Sequence, residues 1–303
     1  MISKILRKIK HKIEYFKEEK EILKSKSIDI STLETICLLS GPYRNLTTLT
    51  ASMAVLHPNC QVLNHAQGRI LPHNKVDFFR KYSTETFRNF VKYAIHLSLS
   101  GSRGRLGGNI LFSHAFDKEI LKEKYRQRFG EEVLKKNIKC LLWKEGLHLK
   151  NHLIKNNITE IDLIRQNSKI KFILPIRNPL DCAKSNQNTG MSNIFININD
   201  KSNFQEILKE ILDAILEFLE NKKQFPSNFF HYYQHSFNED LLIRFCNFMT
   251  LPFDEKWKDD VLEIFNIKPS YSHNEEDIVF YKNYVNEKFT SFPDEMENLI
   301  KFV

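Results

Sequence analysis

Glycine and proline are scarce, nine of each in 303 residues, which excludes collagen-like and low-complexity architectures. Long apolar runs are missing too. Stretches such as Ile36–Leu39 are far too short to cross a bilayer, so a soluble protein is expected. Cysteine is sparse, with Cys37, Cys60, Cys140, Cys182 and Cys246 the full set. No two of them form a CxxC pair and five cannot all pair, which argues against a disulfide framework or a zinc ribbon. Cys37 and Cys140 lie inside apolar runs, as small core residues do, and a reducing, cytoplasmic setting is the simplest reading. No internal repeat and no Pro/Gly/Ser-rich linker divides the chain. What remains is ample: 42% hydrophobic and 27% charged residues can bury a sizeable core, enough for one large α/β domain or two small ones. Lys and Arg outnumber Asp and Glu by 45 to 37, a net charge of +8 that favours anionic partners without naming one.

The charge is uneven. Residues 1–27 hold nine Lys/Arg and four Glu, and Ile2, Ile5, Leu6, Ile9, Ile13 and Phe16 fall along one helical stripe. The segment lacks the apolar centre of a secretory signal. Residues 1–30 therefore read as a basic amphipathic helix preceding a main domain at 31–303. Two roles stay open: lying on an anionic membrane surface, or packing the stripe on the main domain or on a partner.

Further along, apolar segments alternate with helical ones. Strands are expected at 34–40, 60–65, 109–114, 138–143, 170–176 and 228–233. Helices are expected at 46–57, 74–99, 117–129, 180–188, 203–223, 238–249 and 255–265. Several strands are apolar without alternation, as parallel strands covered on both faces are. The order points to a three-layer α/β/α sandwich around a central parallel sheet. Ligands of such sheets sit beyond the carboxyl ends of the strands, which singles out the loops after Ser40 and Ile176.

The first of these loops runs Ser40-Gly41-Pro42-Tyr43-Arg44-Asn45-Leu46-Thr47-Thr48 into a helix. A strand–loop–helix with hydroxyls at the turn presents backbone N–H groups and a positive dipole end to an anion. Against the nucleotide pattern G-x-x-x-x-G-K-[ST], Leu46, Thr47 and Thr48 stand where Gly, Lys and Ser/Thr belong. The lysine that reaches the β- and γ-phosphates is missing, which disfavours an ATPase or kinase. A cradle for one anionic group, with Arg44 as its cation, and a plain structural turn are both open. The second loop, Arg177-Asn178-Pro179-Leu180-Asp181-Cys182-Ala183-Lys184-Ser185, puts a guanidinium at a strand end, proline at a helix start and a hydroxyl two turns on. The arginine and serine can converge on one phosphate, or Arg177 can simply pair with a carboxylate.

Together the two segments resemble the sulfotransferases that use 3′-phosphoadenosine 5′-phosphosulfate. The resemblance covers roughly Thr35 to Tyr284 and includes the late stretch Phe230–Leu251. It implies the P-loop NTPase-like sulfotransferase fold. Arg44, Asn45, Leu46, Thr47 and Thr48 would then hold the 5′-phosphosulfate, and Arg177 and Ser185, with the family's eight-residue spacing, the 3′-phosphate. The usual glycine before the hydroxyl pair is Leu46 here, and Asn45 replaces a serine or glycine. The late Arg-Lys-Gly segment of cytosolic members has no clear copy. Lys268-Pro269-Ser270-Tyr271 is its nearest stand-in, which makes Lys268, Ser270 and Tyr271 candidate donor contacts.

The implied reaction moves SO₃ to a hydroxyl of a glycan, lipid or small metabolite, with charge stabilisation by Arg44 and the loop N–H groups and no metal. A base must take the acceptor's proton. His65, at the end of the second strand, is the leading candidate, and its surroundings approximate the stretch that carries the glutamate base of protein-tyrosine sulfotransferases. His114 and Glu145 follow. Lys144 resembles a lysine that some carbohydrate sulfotransferases place near substrate, or is a surface lysine. Gly101-Ser102-Arg103-Gly104-Arg105-Leu106-Gly107-Gly108 reads as a flexible connection or as an anion-contacting loop in the acceptor cleft. Two other function classes remain: a P-loop-type kinase or related nucleotide-dependent phosphotransferase, and a non-catalytic anion- or membrane-binding module. Nucleic acid is not an expected partner, because the net charge is modest and aromatic residues do not alternate with basic ones.

Overall fold

The computed structural model describes residues 15–265 and 271–303. Six strands form one sheet: β1 (Thr35–Leu39), β2 (Cys60–Asn64), β3 (Gly108–Asn109), β4 (Cys140–Lys144), β5 (Ile170–Ile176) and β6 (Phe229–Tyr233), in spatial order β3-β2-β4-β1-β5-β6. All neighbouring pairs are parallel except β2–β3, which is antiparallel. Burial on both faces explains the unbroken apolar runs. Ile36 and Leu38 of β1 point into one core with Trp143, Phe172 and Leu174, while Cys37 and Leu39 point into the other with Leu142 and Ile173. The first core is covered by α4 (Thr84–Ser98), α6 (Leu147–Lys155), α7 (Glu160–Gln166), α8 (Pro179–Thr189), α9 (Phe204–Gln224), α12 (Glu275–Lys288) and α13 (Pro293–Ile300). The second is covered by α2 (Thr47–Val55), α5 (Glu119–Phe129), α10 (Glu239–Met249) and α11 (Glu255–Ile264). This is the expected α/β/α sandwich, with an antiparallel edge. All five cysteines are buried free thiols.

Two expected elements differ. The apolar run 109–114 gives only a two-residue strand, because the Asn109 side chain accepts from the Leu111 N–H at 2.8 Å and turns the chain into 3-10 turns at Ile110–Phe112 and His114–Asp117. The helix expected from residue 74 starts at Thr84, where Ser83 and Thr86 cap each other reciprocally. The helices α6, α7, α12 and α13 and the short α3 (Gln67–Ile70) were not expected.

Of the basic N-terminal segment, residues 1–14 lie outside the described residues. Residues 15–25 form a helix, α1, that lies on the main body. Its acids face inward: Glu18 meets Arg69 at 3.0 Å, Glu19 meets Lys75 at 2.6 Å and Glu21 meets His96 at 2.8 Å. On the same side Ile22 and Ser25 are buried, Ile22 in the first core, whereas Phe16, the last residue of the stripe, is 59% exposed. Among the described residues no helix is long and apolar enough to cross a membrane.

Candidate active site

The carboxyl ends of β5, β1, β4 and β2 open on one cleft of about 1180 Å³. Its walls include Arg44, Leu46, Thr47, Thr48, His65, Lys144 and Arg177, and its outer rim includes Arg103, Arg105, His114 and Lys118. Among the described residues, no aspartate or glutamate lines it.

At the β1 side the chain turns sharply. Gly41 has φ 90°, and a Cβ there would stand 2.3 Å from Leu174 Cδ1 of β5, so only glycine lets the loop leave over that strand. Arg44 and Leu46 are also left-handed, at φ 63° and 61°. Leu46 thus adopts the conformation that glycine takes without strain, at a cost of roughly 1 kcal/mol. It is the N-cap of α2, and no side chain caps that end. The N–H groups of the first turn and the positive dipole end are therefore left to a ligand in the cleft.

The loops after β1 and β5 are tied together. Arg44 Nε donates to Ser185 Oγ at 2.9 Å, the Arg177 amide donates to Asn45 Oδ1 at 2.8 Å, and Asn186 Nδ2 donates to the Tyr43 carbonyl at 2.7 Å. Arg177 Nη2 meets Asp181 Oδ2 at 3.2 Å, and Asp181 Oδ1 meets His273 at 2.9 Å. The Tyr271 ring lies 6.0 Å from the Arg177 guanidinium carbon, so the stretch after residue 270 borders this end of the cleft. Lys268 and Ser270 lie outside the described residues. Asn45 and Ser185, both about 1% exposed, stand behind the wall rather than on it. They orient Arg177 and Arg44, which do line the cleft.

On the β2 side, the parallel register pairs Asn64 with Lys144, which places His65 beside Glu145. His65 has φ 54° and Ala66 φ 73°. This unusual turn is held by the His65 amide donating to the Lys144 carbonyl at 3.1 Å and by the Trp143 indole N–H donating to the His65 carbonyl. The result aims the His65 ring into the cleft. Behind it, Glu145 has no exposed side-chain surface and takes one donor on each oxygen: Tyr43 OH at 2.6 Å and His65 Nδ1 at 3.1 Å. Burial alone would push the Glu145 carboxyl up, but the His65 contact and the Tyr43 hydroxyl outweigh it and hold it below the ordinary carboxylate range. Burial and the neighbouring carboxylate drive the Tyr43 phenol upward, so it stays a donor.

An ionised Glu145 fixes the His65 tautomer. Nδ1 carries the hydrogen, and Nε2 presents a lone pair toward the cleft. That lone pair accepts from Lys144 Nζ at 3.0 Å. Lys144 is no surface lysine: it is 5% exposed, and burial lowers its pKa to about 8, partly offset by the Glu145 charge. His65, Glu145, Lys144 and Tyr43 are thus one connected unit, with His65 and Lys144 facing the cleft and Glu145 behind. His148 also lines the cleft, its ring edge-on to Tyr43 at 5.9 Å.

His114 sits elsewhere. With the expected strand replaced by 3-10 turns, its ring is 81% exposed at the rim, and it meets Arg103 Nη1 at 3.0 Å. Glu145 is walled off from the cleft by His65, so it positions rather than contacts. Tyr43 and His148 were missed in the sequence, where nothing distinguishes them from core aromatics.

No protein-family model matches the chain, and no curated protein matches it. Among solved structures it is similar to the sulfotransferase domain from the Synechococcus PCC 7002 olefin synthase, at 12% identity and a TM-score of 0.38, covering 82% of this chain and 94% of that one. It is similar also to sulfotransferase STF9 from Mycobacterium avium, at 11% identity and a TM-score of 0.40, covering 90% of this chain and 80% of that one. Likenesses this remote carry no argument about chemistry, which rests on the residues of the cleft.

Proposed function

We propose that the chain is a sulfotransferase, taking its sulfuryl group from 3′-phosphoadenosine 5′-phosphosulfate and delivering it to a hydroxyl of a glycan, lipid or small metabolite. One observation carries the reading. Two loops with matching phosphate-binding patterns meet at a single rim, joined by Arg44 and Ser185, and a histidine of defined tautomer opens on the same cleft.

The donor residues fit a doubly anionic adenosine carrier: Arg44, Lys144 and Arg177 supply positive charge, α2 presents an uncapped N-terminus, and among the described residues the lining holds no carboxylate to repel it. The donor, when bound, supplies an activated S–O bond whose electron pair leaves on the 5′-phosphate. Arg44, Thr47, Thr48 and the first N–H groups of α2 stabilise the charge at that leaving oxygen. Arg177, steered by Asn45 and Asp181, holds the 3′-phosphate and sets register. His65 Nε2 takes the acceptor's proton as its oxygen bonds to sulfur. Glu145 stabilises the resulting imidazolium, and Tyr43 holds Glu145. Lys144 leaves Nε2 for the oxygens of the transferring group, which frees the lone pair when it is needed.

Calorimetry tests the donor assignment. The desulfated product, 3′,5′-adenosine bisphosphate, should bind better than ATP, because the lysine of nucleotide-hydrolysing loops is absent. Arg177→Ala should weaken binding by about 10- to 100-fold, the worth of a charged hydrogen bond, with the fold intact by circular dichroism. Preference for ATP would favour the phosphotransferase reading, and failure to bind either nucleotide would favour a non-catalytic module.

A further inference from the structure

The cleft holds more positive charge than the donor uses. In the order β5-β1-β4-β2-β3 the donor residues follow β5, β1 and β4, whereas Arg103, Arg105 and Lys118 belong to the β3 side. Arg105 stands beside the turn that holds His65, and Arg103 ties the same loop to the 3-10 turn that precedes Lys118, whereas Arg44, Thr47, Thr48 and Arg177 follow β1 and β5.

Arg103 is neutralised. It pairs with Asp117, donates to the Phe112 carbonyl at 2.6 Å and meets His114 at 3.0 Å, which makes it a brace between its loop and the 3-10 turns. Arg105 and Lys118 have no carboxylate partner among the described residues. Nor is Arg105 on a loose loop. The Ser102 amide donates to the Gly107 carbonyl at 3.0 Å, and the Gly107 amide to the Gly104 carbonyl at 2.9 Å. A Cβ on Gly107 would stand 2.1 Å from the Asn64 carbonyl and 2.3 Å from the Ala66 amide, so the hairpin is pressed against the turn that holds His65. The Arg105 side chain crosses Gly68, where a Cβ would meet its Nε at 2.8 Å and its Cγ at 2.9 Å. The loop is folded, and it carries its guanidinium beside the base-bearing turn.

Resting on the sulfotransferase reading, we propose that the acceptor is itself anionic: a sugar or polyol bearing a carboxylate or an ester sulfate, held by Arg105 and Lys118 while a neighbouring hydroxyl meets His65. Two exposed cations with no carboxylate partner among the described residues, on the rim of a cleft where the nearby acid Asp117 is taken by Arg103 and His114, match such a group by charge. The fork of Arg105 suits a planar carboxylate or a sulfate oxygen pair.

Binding to the full chain loaded with adenosine bisphosphate tests this. Three hexasaccharide probes are compared by calorimetry at low salt: hyaluronan (carboxylates), chondroitin 4-sulfate (carboxylates and sulfates) and the neutral N-acetylglucosamine hexamer. At least one charged probe should bind about tenfold or more tightly than the neutral one. The double substitution Arg105→Gln/Lys118→Gln should abolish that preference and leave bisphosphate affinity unchanged. A response to hyaluronan assigns the carboxylate; a response to chondroitin 4-sulfate alone assigns the ester sulfate. Equal binding of charged and neutral probes, binding of none, or a preference that survives the double substitution overturns the proposal. Loss of bisphosphate binding by the unmodified chain would instead overturn the donor reading on which it rests.

Discussion

The same four residue types meet twice in this molecule. At the cleft, Tyr43 and His65 each contact Glu145, and Lys144 contacts the far nitrogen of His65, at 2.6, 3.1 and 3.0 Å. At the sheet edge, Tyr233 and His231 each contact Glu295, and Lys222 contacts the far nitrogen of His231, at 2.7, 3.0 and 3.2 Å. Hydrogen-bond chemistry alone does not tell them apart. Access does. At the cleft the carboxylate is sealed and the histidine 22% exposed; at the edge the histidine is 6% exposed and the carboxylate 21%. His231 lies within β6, among its own strand's neighbours, and joins α13 to the sheet through Glu295. His65 stands one residue beyond β2, on a left-handed turn facing a cavity. A histidine held by a carboxylate becomes a base only where a substrate can reach its other nitrogen.

The largest expected contrast is between the histidines. His65→Gln should lower kcat by about 10²- to 10⁴-fold, the usual worth of a general base, with bisphosphate affinity kept in calorimetry. His231→Gln should lower the melting temperature and leave kcat per folded molecule unchanged. Equal effects of the two on kcat would erase the distinction. Next come the carboxylates. Glu145→Gln should cost roughly 10²-fold in kcat, by releasing the tautomer. Glu295→Gln should cost about 1–3 kcal/mol of stability in urea titrations, the price of unpaired buried partners.

These carboxylates also make a pH test. Burial pushes Glu295 up, but His231 and Tyr233 outweigh that and lower it from 4.5 to about 2. Its contribution to stability is therefore present above pH 4.5 and lost as pH falls from there toward 2, a decline that Glu295→Gln should lack.

The lysine at the cleft gives an effect of opposite sign for activity and stability. Its pKa near 8 lies below the ordinary 10.5. Between those values the unfolded chain binds the extra proton, so its contribution to stability rises with pH there. If Lys144 serves the sulfuryl oxygens as proposed, that positive charge disappears over the same range, and kcat/KM should fall above about pH 8. Lys144→Met should be slower throughout and lack that limb; an unchanged limb in the variant would assign it to another group. The smallest effect expected is for Leu46→Gly, where relief of left-handed strain roughly offsets the added freedom of the unfolded chain. The change in stability should stay below about 1 kcal/mol, and a loss of several kcal/mol in denaturant titrations would mean the leucine packs more than its conformation suggests.

Much of this was legible in the sequence because parallel strands buried on two faces write themselves as unbroken apolar runs. Arg44, Thr47, Thr48 and Arg177 could be placed at the cleft for a related reason: each lies in the loop or first helical turn that follows the carboxyl end of such a strand. The edge of the sheet was harder. Residues 109–114 are apolar enough for a strand, and one asparagine side chain, bonding two residues ahead, diverts them into turns. The helix boundary at Ser83 was hidden by apolar residues on both sides of the cap. In the site, His65 and Glu145 could be named but not joined. Lys144 and His65 are 79 positions apart, and only the adjacency of β2 and β4 puts them in contact. The burial of Asn45 and Ser185 behind the arginines they orient has the same origin, since it follows from how α8 packs on the first loop.

The most direct test of the account is transfer of radiolabelled sulfuryl group from the donor to a panel of hydroxyl acceptors, run with the unmodified chain and with His65→Gln. The account predicts labelled product with the unmodified chain, and loss of at least about 99% of the rate in the variant while it still binds adenosine bisphosphate normally. Equal rates from the two proteins, or no donor-dependent product from either across the panel, would contradict it.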